Sequence, residues 1–163
     1  MNNVRTYYTV EFLYMFSLSF MRATYVIFLL ERGLDLLQVN LINGAFMVGV
    51  FIFEIPTGAF ADILGRKKSF LIGCLIISTS FFMYYVSHLF LLFVIAEIIA
   101  ALGTTFYSGA LEAWIVDALK KANYKGTIDT VFAKSHIVIT VSSIGSGLLG
   151  AYIGNVNLAL PWL

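Results

Sequence analysis

Charge is scarce in this sequence. Aspartate, glutamate, lysine and arginine make up only 12% of the 163 residues, about half the share usual in soluble domains. The charges nearly cancel to a net +1, so no basic face is on offer to nucleic acid. Cysteine occurs once, as Cys74, which excludes a disulfide within the chain and a thiolate metal cluster. In its apolar run Cys74 reads as a small buried hydrophobe. No phosphate-binding G-x-x-x-x-G-K-[ST] loop occurs, so no ATP-hydrolysing site is expected. No G-x-S-x-G elbow or H-E-x-x-H pair occurs either, so no enzyme activity, cofactor or metal site is expected. A cleavable signal peptide is not expected at the amino end. The first apolar run is longer than a signal core of about 7–15 residues and contains Glu11 and Arg22.

What remains is apolar. Hydrophobic residues make up 60% of the chain and the mean hydropathy is +0.91. A soluble fold of this length could not bury that much apolar surface, so lipid is the expected solvent. Five segments, at 7–30, 37–61, 69–87, 89–115 and 131–154, supply the roughly 20 residues that a hydrocarbon core of about 30 Å demands. They are expected to be helices, because a helix satisfies its own backbone in lipid and the segments lack the alternation of barrel strands. After Asn155, the run Val156–Leu163 reads as a turn and the start of a sixth span. The expected fold is therefore an all-α polytopic membrane protein, with residues 1–163 forming part of one transmembrane domain.

The cations give a direction. Arg5, Arg66, Lys67, Lys68, Lys120, Lys121, Lys125 and Lys134 fall on one side, and only Arg32 falls on the other. The positive-inside rule then puts the amino terminus and the 64–68 connection in the cytoplasm. Tyr7, Tyr8 and Trp114 stand near expected span boundaries, where interfacial aromatics are common.

One stretch is polar out of proportion, Glu54-Ile-Pro-Thr-Gly-Ala-Phe-Ala-Asp-Ile-Leu-Gly-Arg-Lys-Lys68. Glu54, Gly58 and Asp62 are four residues apart and share one helix face. Pro56 removes a backbone bond and allows a bend. Gly58 would let another helix come close. Gly65 would end the helix, and the cations after it suit the negative helix end and anionic headgroups. Asp62 opposes the dipole of its own last turn by about 0.3–1 kcal/mol, so it needs a partner, and Arg66 is within reach. Positive-inside cations at a helix end explain Arg66, Lys67 and Lys68, but not Pro56, Gly58 and Asp62 together.

Gly58-Ala-Phe-Ala-Asp62-Ile-Leu-Gly65-Arg66-Lys67-Lys68 resembles the G-x-x-x-D-x-x-G-R-[RK]-[RK] signature of the major facilitator superfamily. The preceding Glu-Ile-Pro-Thr resembles a bacterial small-molecule and drug efflux subgroup. The resemblance covers the whole chain and implies the amino-terminal half of a secondary transporter, cut inside its sixth helix. It implies that the motif is a cytoplasmic latch. Asp62 would face a helix of the carboxyl-terminal half, and Arg66 would pair with an acid at the inner end of helix 4, where Asp117 stands. It also implies that helices 1 and 4 line a central cavity.

Ionisable groups within spans are functional candidates because each costs at least about 2.5–3.5 kcal/mol at mid-bilayer. Arg22 and Glu97 lie at a matched depth of roughly 12 Å from the outer ends of their helices. They are expected to face one cavity and interact; a structural ion pair is the plainer alternative. The family often has an arginine in mid-helix 4 where Glu97 stands here, so a coupling role built on that arginine does not transfer. Buried, Glu97 could itself take up a proton. Glu54 reads equally as cavity lining or structural hydrogen bonding, and Glu11, near the cytoplasmic surface, as solvated. Glu112 could join the latch or reach water. His88 and His136 read as interfacial.

In helix 5, Ser142, Ser146, Gly150 and Gly154 recur every four residues, a small-residue stripe for tight packing. The stripe faintly resembles the family's antiporter motif, with serines for both leading glycines and Gly147 for the proline. Packing is the safer reading. The expected function is movement of a small solute by alternating access, coupled to protons and outward in direction. The expected location is the plasma membrane, and the expected partners are membrane lipid and a carboxyl-terminal half or partner chain. The rival is a non-transporting scaffold or truncated remnant. The two differ at Asp62. A scaffold leaves it solvated, whereas a transporter half leaves the Glu54–Gly58–Asp62 face as an open seam.

Overall fold

The computed structural model describes residues 2–162, and their regular structure is entirely helical. The helices are α1 (Asn2–Arg22), α2 (Tyr25–Glu31), α3 (Leu36–Leu64), α4 (Arg66–Val86), α5 (Phe90–Lys121) and α6 (Ile128–Gly154). Among the described residues four helices are long and apolar enough to cross a bilayer, and α1 with α2 makes a fifth, broken span. The chain is thus an all-α, multi-pass integral membrane protein.

The ends depart from the expected ones. The first span breaks at Ala23–Thr24, where the Thr24 amide and hydroxyl both donate to the Met21 carbonyl, at 3.1 and 3.2 Å. No proline or glycine marks this break. α5 continues to Lys121 because its last turn carries Lys120 and Lys121, which suit the negative end of the helix dipole. α4 begins at Arg66, directly after Gly65. The three cations thus occupy the positive end of α4 as well as following α3. After Asn155, where the start of a sixth span is expected, the described residues end in a single 3-10 turn, Leu160–Trp162.

α3 starts on a capping box. The Gln38 amide donates to Asp35 Oδ1 at 2.8 Å, and the Asp35 amide donates to Gln38 Oε1 at 3.0 Å, so two orphan donors are satisfied reciprocally. α3 ends at Gly65, whose φ of 94° and ψ of 143° lie near a region essentially reserved for glycine. Pro56 removes one rung of the ladder, yet the helix runs unbroken to Leu64.

The chain divides into two compact units. The first comprises Met1–Tyr25 and Trp114–Pro161. Here α6 lies along α1. The Ser142 hydroxyl donates to the Phe12 carbonyl at 2.8 Å, Ser19 bonds Ser143 at 3.0 Å, and the Tyr8 hydroxyl donates to the Val131 carbonyl at 3.2 Å. A methyl at Gly150 would stand 1.8 Å from the Phe20 carbonyl oxygen, and one at Gly154 2.6 Å from Thr24 Cγ2. In lipid, where apolar burial gives helices no reason to associate, such close backbone contact and interhelical hydrogen bonds hold them.

The second unit comprises Val26–Ala113 and Trp162–Leu163. α4 and α5 meet where a methyl at Gly73 would stand 2.8 Å from the Gly103 carbonyl oxygen. Ser69 and Ser80 donate to the Phe106 and Ala96 carbonyls at 3.1 and 2.8 Å. α3 approaches α5 at Gly49, whose added methyl would stand 2.8 Å from Ala101 Cβ. At one end, the Trp162 ring stacks on Tyr84 at 4.2 Å and meets Phe28 at 5.1 Å.

Candidate functional site: the open seam of α3

α3 carries three distinct rows. Val39, Ile42, Gly49, Thr57 and Ala61 are buried. Leu41, Val48, Ile52, Ile55, Ala59 and Ile63 form an exposed row that is apolar throughout, as a lipid-facing row should be. Between them, at steps of three and four residues, run Asn40, Gly44, Met47, Phe51, Glu54, Gly58 and Asp62. All are exposed except the half-buried Gly58. Three amide- or acid-bearing positions and two glycines make this row unlike the lipid-facing one. A methyl added at Gly44 or Gly58 would meet nothing within 4 Å. The close approach expected at Gly58 is therefore not made by any described residue of this chain, and the row is an open seam.

Asp62 ends the seam. Its Oδ1 pairs with Arg66 Nη2 at 2.9 Å across the Gly65 turn, with the side chains 64% and 29% exposed. The turn brings them together because it stops α3 and starts α4 with no intervening residue beyond Gly65. Asp62 is thus both paired and largely accessible. Lys67 and Lys68 are exposed beside it. Asp117 is exposed near the end of α5, and Glu112 is exposed one turn earlier with Ser108 and Gly109. Glu54 is exposed on the seam, one turn before Gly58. The Thr57 hydroxyl donates back to the Phe53 carbonyl at 2.8 Å, adding a bond to the ladder around Pro56.

Of the intramembrane charges, Arg22 is exposed in the last turn of α1, where the helix break puts the carbonyl end of a helix inside a span. A cation there is stabilised by about 0.3–1 kcal/mol. Glu97 is buried, 8% exposed, in α5 between Ala96 and the pair Ala100–Ala101. Glu11 is also buried, at 5%, which overturns its reading as a solvated residue. Its helix turns that face inward, a direction that proximity to a span end does not reveal. Tyr7, expected at an interface, is likewise buried at 2%. His136 is exposed on α6. His88 is exposed and meets the Arg32 guanidinium at 2.6–2.8 Å. Ser142, Ser146, Gly150 and Gly154 all lie on the buried face of α6, and Ser135 extends that row toward the helix start.

Asn40, Gly44, Met47 and Phe51 were not singled out from sequence, although stepping backward from Asp62 in threes and fours reaches each of them. The missing signal was the direction of the lipid-facing row, which an all-apolar helix does not announce.

The profile of the Major Facilitator Superfamily matches residues 7–162. The chain is also 27% identical over 146 residues to an uncharacterized MFS-type transporter of Bacillus subtilis (strain 168), YxaM. That match takes in 85% of this chain and 34% of the relative, so the chain spans about a third of the relative's length.

Proposed function

This chain belongs to the Major Facilitator Superfamily, and on that footing we propose that it is the amino-terminal part of a secondary transporter moving a small solute by alternating access. The observation that carries this reading is the open seam of α3. A polar, glycine-bearing row beside a purely apolar one suits a surface that other helices cover and uncover. A pair at a moving interface stabilises only the state in which the interface closes, so it sets a conformational equilibrium. In this reading Gly58 admits the facing helix, Asp62 and Arg66 form the clasp, and Gly65 and Lys67 shape the cytoplasmic turn. The facing helices come from a carboxyl-terminal half or a partner chain.

Arg22, Glu54 and Glu97 supply the polar groups of the transport pathway. Glu97, a carboxyl buried within a span, is the proton carrier, because an ionisable group at that depth is costly to keep and marks ion and proton pathways. One proton crossing the membrane releases about 2.3 kcal/mol per 100 mV, enough to drive efflux. The amino terminus lies in the cytoplasm, as the eight-to-one distribution of cations supports, and we place the protein in the plasma membrane.

The test uses everted vesicles carrying the protein that contains this chain, a panel of amphiphilic and hydrophilic solutes, and a pH-sensitive dye. The reading expects at least one solute to dissipate an imposed proton gradient, and Glu97→Gln to abolish that response. Solute movement that proceeds equally with and without the gradient contradicts proton coupling, and movement that survives Glu97→Gln with its coupling intact contradicts Glu97 as the proton carrier.

A further inference from the structure

We infer that the cleft between the end of α5 and the start of α6 binds a negatively charged phosphate group at the membrane surface. The cleft measures about 300 Å³ and is lined by Leu119, Lys120, Asn123, Tyr124, Gly126 and Ile128. That volume is at the lower end of ordinary ligand sites, about 300–1,000 Å³. Its polar side chains offer an ammonium, an amide and a phenol, all able to donate hydrogen bonds. Leu119 and Ile128 supply an apolar wall.

The cleft is preformed. Asn123 turns the chain with φ 47°. The Tyr124 amide donates to the Leu119 carbonyl at 3.1 Å and the Asn123 amide to the Lys120 carbonyl at 3.2 Å, so the end of α5 is closed by a fixed turn. The Tyr124 ring then lies over Gly126, where an added methyl would stand 2.6 Å from the ring. Only a residue without a side chain leaves room for that wall.

The charge has no internal answer. Lys120, Lys121 and Lys125 are exposed, and among the described residues none of them is held in an ion pair. Asp117 precedes them by a turn and Asp129 follows in the first turn of α6, so the connection keeps a net positive charge. By the distribution of cations this end faces the cytoplasm, where the leaflet is anionic and basic pockets between membrane helices take up phosphate headgroups. The same chemistry would accept a soluble phosphate.

Native mass spectrometry of the detergent-purified protein tests this with three probes: phosphatidylglycerol, phosphatidylcholine and inorganic phosphate. The expected result is retention of phosphatidylglycerol over phosphatidylcholine. Lys120→Gln should weaken that retention about fivefold, and Lys120→Arg should restore it. Gly126→Leu, which displaces the Tyr124 ring without changing charge, should weaken it as well. Lys68→Gln removes the same charge from another connection and should weaken it less than Lys120→Gln does. Lipid retention that millimolar phosphate does not displace assigns a headgroup; a phosphate adduct lost in Lys120→Gln assigns a soluble ligand. Equal losses in Lys68→Gln and Lys120→Gln, or equal retention of the two lipids with no phosphate adduct, overturn the inference. Thermal midpoints recorded for every variant separate lost binding from lost fold, and Gly126→Leu decides the matter if Lys120→Gln does not fold.

Discussion

At the scale of single residues, contact distance separates positions that look alike in sequence. Gly145 and Gly150 are both glycines of α6, yet an added methyl meets nothing within 4 Å at Gly145 and a backbone oxygen at 1.8 Å at Gly150. Gly150→Ala should therefore destabilise the protein by about 1–3 kcal/mol through overpacking against a rigid backbone. Gly145→Ala should be neutral or stabilising by up to about 1 kcal/mol. Ser142→Ala loses one interhelical hydrogen bond, which in membranes averages only about 0.6 kcal/mol. Denaturant unfolding in mixed micelles would rank the three, and a Ser142→Ala effect larger than that of Gly150→Ala would contradict the packing account. Asp62 is 64% exposed and Arg66 is 29% exposed, so with one partner largely in solvent the pair's contribution to stability lies within about 0–1 kcal/mol. Asp62→Asn should leave the thermal midpoint almost unmoved while lowering transport. A large loss of stability would mean that the pair is structural. Glu11 shows where residue-level reading from sequence stops. Its place near a helix end suggested water, but its face decides, and neighbours on all sides are apolar enough to hide which face points inward.

At the scale of elements, the apolar runs located every long helix because a backbone in lipid has no other way to satisfy its polar groups. The ends were less legible. Val116–Lys121 continues α5 because nothing in those residues breaks a helix and the lysines favour its end. Ala23–Thr24 breaks the first span through a local threonine bond that no sequence breaker announces. Gly65 was legible as a terminator, and its backbone shows why the residue is glycine. Gly65→Ala should cost about 1–3 kcal/mol from backbone strain and loosen the Asp62–Arg66 pair. The check is whether that cost persists in an Asp62→Asn background. Full persistence assigns it to the backbone, and its disappearance would assign it to the pair.

At the scale of the whole molecule, the family and the fold class were legible in one fifteen-residue stretch set within long apolar runs. The seam was legible only at Glu54, Gly58 and Asp62, since its amino-terminal half, Asn40 to Phe51, bears no charge. The pathway assigned to Arg22 and Glu97 makes a prediction of its own. If the two interact, Arg22→Ala and Glu97→Gln should be strongly non-additive in transport, with a coupling of about 0.5–3 kcal/mol by double-mutant cycle. Additive losses would separate the two roles.

The most direct measurement compares tryptophan at two adjacent positions of α3, one on the seam and one on the lipid-facing row. Within this chain Gly58 has open space and Ala59 is exposed, so neither Gly58→Trp nor Ala59→Trp should unfold the protein. Solute transport in everted vesicles should be lost in Gly58→Trp, which wedges the seam apart, and kept in Ala59→Trp, which only displaces lipid. Transport retained equally in both variants would contradict the claim that the α3 seam opens and closes.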